Sequence, residues 1–136
     1  MYETKNVGLD GALQAVRAVL TAAAETDGLP IVVMVADRDG EMIAFARMDG
    51  AGHVPRTMAT RKAYTSARTG NDSRAWGNSI RHAGIDLKDL DPFMIGFAGG
   101  VCLRVDGVVV GAVGVSGRSE EQDEELARVG AGAIIV

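Results

Sequence analysis

The chain has 136 residues and a formal net charge of −4, with 47% hydrophobic and 24% charged residues. This length fits a single domain over residues 1–136, and the apolar content excludes an intrinsically disordered chain. The acidic balance provides no general surface for a polyanion, so we expect no nucleic-acid partner.

The first residues of the chain and its hydropathy predict the cellular location of the protein. The opening stretch MYETKNVGLD lacks the basic-then-apolar layout of a signal peptide. The apolar runs all fall short of the roughly 18 residues that a membrane-spanning helix needs. The single cysteine, Cys102, has no partner in the chain for a disulfide. We therefore expect a cytoplasmic protein with no membrane partner.

The first half of the chain carries clear periodic patterns. In chain order, these patterns predict a helix over 9–26, a strand over 31–36, a returning strand over 42–46 and a helix over 54–69. The turn Asp37-Arg38-Asp39-Gly40 contains the Asp-Gly signal of a hairpin. A stripe of small residues then recurs every fourth position of the second helix, and this stripe lets the helix lie close to a sheet. It consists of Ala59, Ala63 and Ala67.

The second half of the chain repeats the sequence of hairpin and helix. It predicts an irregular segment over 70–92 with a short helix around 75–81, a strand over 101–105, a hairpin turn at Asp106-Gly107 and a return strand over 108–115. Ser119 caps a final helix whose first turn is acidic. The order of elements predicts an α+β domain with a central antiparallel sheet. We expect the first and last helices on one face of this sheet and the 54–69 helix on the other.

A basic segment lies within this otherwise acidic chain. Residues 54–85 contain one acid, Asp72, and six basic side chains that give the segment a formal charge of +5: Arg56, Arg61, Lys62, Arg68, Arg74 and Arg81. Such a concentration of charge favours a pocket for a small anionic ligand. It is also compatible with a solvated helix face that pairs with acids of another subunit.

Candidate ligand-binding residues come from this segment and from the Gly-Gly pair. Lys62 shares one side of its helix with Thr65, and its long apolar stem can carry the ammonium to a pocket mouth. We predict that Arg61, Lys62 and Thr65 bind an anion. The backbone N–H groups of Gly99 and Gly100 would donate to the same anion. The alternatives are a lysine at a subunit boundary and a bend or β-bulge at the two glycines.

The candidate catalytic residues are Lys62, Glu121 and His53. In an enzyme, Lys62 and an arginine would hold a carboxylate, and Glu121 or His53 would move a proton. Ordinary capping of the last helix explains Glu121 and Asp123 without any catalytic role. His53 and His82 are the only histidines, and either could ligate haem iron, although isolated histidines are more often surface residues. Their spacing predicts no metal site.

Four blocks of sequence together resemble one known family. They are VVMVADRDGEMIAFARMDGA, TMATRKAYTSARTG, the Gly99-Gly100 strand entry and DGVVVGAVGVSGRSEEQDEELARVGAGAI. In this order they resemble the GlcG/HbpS-like haem-binding family, which includes the C-terminal domain of PduO. The resemblance extends from about Leu9 to Ile134. It implies a profilin-like α/β/α sandwich, homo-oligomers, and a pocket for haem or another anionic tetrapyrrole, with Lys62 matching the family's K-A-Y/F-T block.

These observations leave three functions open. The leading hypothesis is a small ligand-binding protein whose pocket takes haem or another anionic ligand. The alternative is an enzyme of isomerase, hydratase or hydrolase type, acting on a carbonyl or carboxylate compound of a catabolic pathway. The third is a structural or interaction module. The apolar end of the chain, Ala131 to Val136, also predicts self-association into a homo-oligomer.

Overall fold

A computed structural model of the protein describes residues 1–134. Within this range the chain forms one sheet flanked by helices. The elements in chain order are α1 (Leu9–Glu25), β1 (Val32–Asp37), β2 (Met42–Arg47), α2 (His53–Thr69), α3 (Ser73–His82), α4 (Leu87–Leu90), β3 (Gly100–Val105), β4 (Val108–Ser116) and α5 (Glu120–Gly132).

The sheet has four strands in the order β2-β1-β4-β3, and every neighbouring pair is antiparallel. The central strands β1 and β4 pair with Val33 opposite Val115. Both strands are buried along most of their length, because helices cover the sheet on its two faces. Their continuous apolar runs predicted this arrangement, since strands covered on both faces lose the alternation of apolar and polar residues.

Alternate side chains of the central strands enter two separate cores. Val33 and Val115 pack under α1 and α5, whereas Met34 and Ala112 pack under α2. The contacts between elements agree with this division, since α1 contacts α5 and α2 contacts β1, β3 and β4. The predicted α+β sandwich and its distribution of helices over the two faces are confirmed.

The helix α2 lies unusually close to the sheet because both surfaces consist of small residues. Ala59, Ala63 and Ala67 are all buried on the inner side of the helix. Gly114 of β4 lies opposite them, and a Cβ atom placed on it would collide with the Ala59 carbonyl and lie 2.6 Å from the Ala63 nitrogen. Helix backbone therefore contacts strand backbone, as the stripe of alanines predicted.

The turns and caps also follow the sequence. Asp106 and Gly107 have φ angles of 51° and 79°, the left-handed conformation of a tight hairpin turn. Ser119 and Gln122 form a reciprocal capping box at the start of α5.

Two helical segments differ from the prediction for residues 70–92. The helix α3 is longer than the predicted 75–81 segment, and α4 is a helical turn inside a stretch predicted to be irregular. One turn is too short to show an apolar period, although the Asp86 side chain caps α4 by accepting from the Lys88 amide at 3.0 Å.

Two sequence-based expectations concern the chain end and membranes. Residues 135 and 136, the last of the apolar end predicted to self-associate, lie outside the described residues. Among residues 1–134, no helix combines the length and the apolar character needed to cross a bilayer.

Candidate functional site

The ammonium of Lys62 lies in the interior of the protein. Lys62 is 2% exposed, and its Nζ atom lies 3.1 Å from Oδ2 of Asp123 on α5. The same Nζ donates to the Val115 carbonyl at 3.0 Å. The side chain therefore joins α2 on one face of the sheet to α5 on the other, past the end of β4. The sequence placed this ammonium at a pocket mouth, whereas the structure encloses it.

Burial dominates the electrostatics of this ion pair. Desolvation lowers the pKa of Lys62, and the attraction of Asp123 opposes this shift. Desolvation likewise raises the pKa of Asp123, against the attraction of Lys62 and hydrogen bonds from the amides of Arg118 and Gly117. The Arg118 amide donates to Asp123 Oδ1 at 2.9 Å. Both carboxylate oxygens therefore have partners within the chain.

Gly99 and Gly100 lie beside Lys62, as the site prediction required, but α2 fills the space next to them. A Cβ atom on Gly99, whose φ is 127°, would lie 2.8 Å from Lys62 Nζ. A Cβ atom on Gly100 would lie 2.5 Å from Ser66 Oγ. The Gly100 amide donates to Ser73 Oγ at 2.8 Å. Because these two glycines have no side chain, α2 can pack directly against their backbone. The sequence had predicted a ligand contact or a bend at this position.

A groove opens on the outer side of α2. We call it the 80–97 groove, because Arg61 forms one border and the other lining residues all come from the segment 80–97. The groove has a volume of about 430 Å³. Its walls are mainly apolar and include Ile80, Ile85, Leu87, Pro92, Met94 and Phe97.

Charged side chains border these apolar walls. Arg61, Arg81 and Lys88 contribute three cations, and Asp86 contributes one carboxylate. Within residues 1–134, Arg61 and Arg81 have no carboxylate within 4.0 Å. The Arg61 guanidinium lies 5.6 Å from the centre of the Phe93 ring. The groove therefore presents positive charge that the described chain leaves without an ionic partner.

Other members of the basic segment behave differently. Arg74 lies 3.2 Å from Glu124 and 3.6 Å from Glu121, and Lys62 pairs with Asp123. These acids belong to the same chain, whereas the alternative drawn from the sequence involved acids of another subunit. Lys62 and Arg74 pair with acids of α5, whereas Arg61 and Arg81 face the groove.

Hydroxyl groups fix the wall of the groove. Thr65 Oγ1 donates to the Arg61 carbonyl at 2.8 Å and accepts from the Ile95 amide at 3.0 Å. Ser73 Oγ donates to the Phe97 carbonyl at 2.6 Å. Thr65, a predicted ligand-binding residue, therefore holds the groove wall in position through the Ile95 amide.

The remaining catalytic candidates do not gather around Lys62. The Glu121 side chain is 75% exposed and lies near Arg74. His53 is the exposed first residue of α2, about 13 Å along the helix axis from Lys62 at 1.5 Å per residue. His82 is exposed at the end of α3. The described chain holds no cluster of three His, Cys, Asp or Glu residues suited to a metal ion. Catalysis by these residues stays a prediction.

Sequence reasoning missed most of the groove. The residues it overlooked include Lys88, Met94, Ile95 and Phe97. Their signal was the excess of apolar residues between 85 and 97, within a segment that also contains Asp86, Lys88, Asp89 and Asp91. Because of these polar residues, the segment resembled a surface loop, and the sequence did not predict that its apolar residues form a wall.

A comparison with known proteins identifies the family. The model of a family described as "Haem degrading protein HbpS-like" matches residues 7–132. The chain belongs to the HbpS-like family. The GlcG/HbpS-like resemblance noted in the sequence is thereby confirmed.

Several HbpS-like relatives resemble the chain along most of its length. The corrinoid adenosyltransferase PduO of Citrobacter freundii is 31% identical over 127 residues, which cover 90% of this chain and 37% of PduO. The chain thus spans little more than a third of that relative. A double mutant of HbpS from Streptomyces reticuli superimposes with a TM-score of 0.90 and 32% identity, covering 100% of this chain and 92% of HbpS. The PduOC:heme complex superimposes with a TM-score of 0.85 and 28% identity, covering 95% of each chain.

Proposed function

We propose that this HbpS-like protein binds haem or a related anionic tetrapyrrole in the 80–97 groove. The observation that carries the proposal is the combination of apolar walls with two arginines, Arg61 and Arg81, that lack an acidic partner in the described chain. Apolar grooves of a few hundred Å³ with a few convergent polar groups are typical ligand sites. The haem complex of the relative PduOC supports the choice of ligand.

The groove fits two parts of a tetrapyrrole. The flat apolar faces of the macrocycle match walls that contain Leu87, Met94 and Phe97. The carboxylates match guanidinium groups, which donate paired hydrogen bonds to such anions. Arg81 lies at this wall: its Nη2 donates to Asn78 Oδ1 at 2.7 Å, and a Cβ atom added to Gly96 would lie 3.0 Å from its Nη1.

The roles of the other predicted ligand-binding residues follow from their contacts. We assign Thr65 to positioning, because its hydroxyl holds the Ile95 amide. We assign Lys62, Gly99 and Gly100 to the packing of α2 on the sheet. Of the predicted ligand-binding residues, Arg61 is then the one that we expect to contact the ligand. This assignment is tested by comparing variants of Arg61 and Lys62.

Titration with haemin, followed through the Soret band, tests the proposed function. The wild-type protein is expected to give a saturable shift. Arg61→Gln should weaken binding by about tenfold, because it removes one charge-assisted hydrogen bond. Arg17→Gln is the matched control, since Arg17 is exposed on α1, beyond the opposite face of the sheet. Its affinity should equal that of the wild type.

Two results would contradict the proposal. The first is a Soret band that does not shift saturably at micromolar protein. The second is equal haemin affinity in the Arg61→Gln protein and the wild type, which would place any binding outside this groove.

Self-association is also part of the proposal. Leu90 and Phe93, which belong to the 80–97 segment without lining the groove, are 51% and 57% exposed and leave apolar surface in contact with water. A second copy of the chain would remove this surface from water. Light scattering is expected to report an oligomer, and a stable monomer at assay concentrations would contradict this part. A cytoplasmic location and the lack of a nucleic-acid partner stay predictions from the sequence.

A further inference from the structure

The 80–97 groove contains little that binds iron. Haem iron is held in proteins by histidine, cysteine thiolate, tyrosine or methionine. The groove is lined by apolar and charged side chains, and Met94 contributes the only side chain of these four types. A thioether is a weak donor and commonly serves as the partner of a histidine ligand.

The stronger iron ligands of the described chain have other surroundings. His53 begins α2, about 12 Å along the helix axis from Arg61. Cys102 is buried in β3, where its Sγ donates to the Ser66 carbonyl at 3.3 Å and burial raises its pKa to about 11. Tyr64 donates its hydroxyl proton to Asp91 Oδ2 at 2.6 Å.

His82 is the candidate nearest to the groove in the sequence. It follows Arg81, which lines the groove, but consecutive residues of a helix point about 100° apart. His82 is exposed and is not among the lining residues. The groove thus fits the macrocycle and its carboxylates and does not fit the metal.

From this disagreement we infer that the groove recognises a tetrapyrrole by its apolar faces and carboxylates, and that iron is not required for binding. The inference rests on the proposed function and narrows its ligand class. The ligands are planar amphipathic dicarboxylates, and iron-free porphyrins bind as well as haem. Arg61 and Arg81 provide the charge, and the apolar walls provide the burial of the ring.

Parallel titrations with haemin and protoporphyrin IX test the inference. The two probes share the ring and both carboxylates and differ in the iron. Quenching of the single tryptophan, Trp76, gives one readout for both probes. We expect dissociation constants that agree within about threefold, and an Arg61→Gln variant that weakens both probes by about tenfold.

Two variants test iron coordination directly. Met94→Leu preserves the volume of the wall and removes the sulfur. His82→Gln removes the nearest imidazole. His82→Gln should leave the haemin affinity unchanged. Met94→Leu alters a wall residue that faces the ring shared by both probes, so it should change the haemin and protoporphyrin IX affinities by the same factor. The Soret band of bound haemin should keep its position in both variants.

The outcomes separate the inference from the proposed function. If haemin binds and protoporphyrin IX binds more than about thirtyfold weaker, the proposed function stands and the inference fails. A loss of haemin binding without a matching loss of protoporphyrin IX binding, in Met94→Leu or His82→Gln, leads to the same conclusion. If neither probe binds, the proposed function fails and the inference fails with it. Equal binding of both probes, weakened alike by Arg61→Gln, supports both.

Discussion

Arg61 and Lys62 are neighbours in the sequence, carry the same charge and have opposite surroundings. Arg61 borders an open groove, and its guanidinium also lies 5.6 Å from the centre of the Phe93 ring. Lys62 is enclosed and bonded to Asp123 and to the Val115 carbonyl. A step of one residue turns a helix by about 100°, which here separates solvent from the interior. The charge of a segment therefore does not reveal which of its residues meets a ligand.

Substitutions on the two sides of α2 should also differ in how much they lower the free energy of unfolding. On the inner side, backbone packs on backbone and a charge is buried, so small chemical changes leave a collision or an unpaired ion. On the outer side, the side chains are partly in water and can rearrange. We expect large losses of stability from inner substitutions and losses of ligand affinity from outer ones.

The largest expected effect is that of Lys62→Met. The variant keeps the apolar stem but leaves Asp123 buried without its cation, and breaking a buried pair in this way costs about 3–5 kcal/mol. Chemical denaturation measures the loss. Lys5→Met, at an exposed lysine of the N-terminal segment, is the control and should change stability little.

A second variant distinguishes the lost pair from a general packing defect. Replacing both partners, Lys62→Met with Asp123→Leu, should recover much of the stability, because no buried ion remains. A loss below about 1 kcal/mol in the single Lys62→Met variant would show that the pair is effectively solvated.

The next largest loss of stability is expected where α2 packs on the sheet. Gly114→Ala adds a methyl group where the Ala59 carbonyl and the Ala63 nitrogen already lie, so α2 must move away from β4. Overpacking of this kind costs about 1–3 kcal/mol in unfolding free energy. Gly132→Ala is the matched control, since a Cβ atom there would contact nothing within 4 Å. The control is expected to be as stable as the wild type or slightly more so.

On the outer side, Arg61→Gln should change the unfolding free energy by only about 0.5 kcal/mol, the scale of an exposed cation–π contact. Denaturation of this variant beside Lys62→Met compares the two neighbouring cations directly. A loss as large as that of Lys62→Met would mean that Arg61 is also a structural residue, and the assignment of Arg61 to the ligand would then fail.

The smallest effect concerns a hydrogen bond between Tyr64 of α2 and Asp91. The Tyr64 hydroxyl donates to Asp91 at 2.6 Å, and this bond lowers the pKa of Asp91. Tyr64→Phe should raise that pKa, as an NMR titration of the Asp91 carboxyl would show. Tyr2→Phe, at an exposed tyrosine, should leave it unchanged.

The direction of the pH dependence follows from this lowered pKa. Stability from a carboxyl with a lowered pKa is fully present above the ordinary value near 3.9 and is lost as the pH falls through the folded-state value. The wild type should therefore exceed Tyr64→Phe in unfolding free energy at pH 6, and the difference should shrink towards pH 3. A difference that grows on acidification would show that another group is responsible.

Much of the fold could be predicted because its signals are local. The apolar runs of β1 and β4, the Asp-Gly turns and the Ser119 cap each depend on a few consecutive residues. The alanine stripe of α2 predicted its close packing through the fixed spacing of a helix. The single turn α4 was missed, because four residues are too few to show a period.

The candidate site was predicted only in part, because its contacts join distant parts of the chain. The sequence placed Lys62 beside Gly99, and the structure agrees. It did not place Asp123, which lies 61 residues further along the chain, on the Lys62 ammonium. Nor did it show that residues 80–97 form an apolar wall beside Arg61, since an irregular segment has no period that predicts its direction.

The amino-acid sequence was enough to indicate the family, the order of the strands and long helices, and the charge of the basic segment. These properties depend on local spacing and on the identity of residues, which the chain carries without folding. Which cation is buried and which one borders the groove follows from tertiary contacts. The inner side of α2 lies on the sheet, where Gly100 and Gly114 leave room for the helix backbone. Lys62 lies on that side and pairs with Asp123, whereas the half-buried Arg61 lies at the border of the groove.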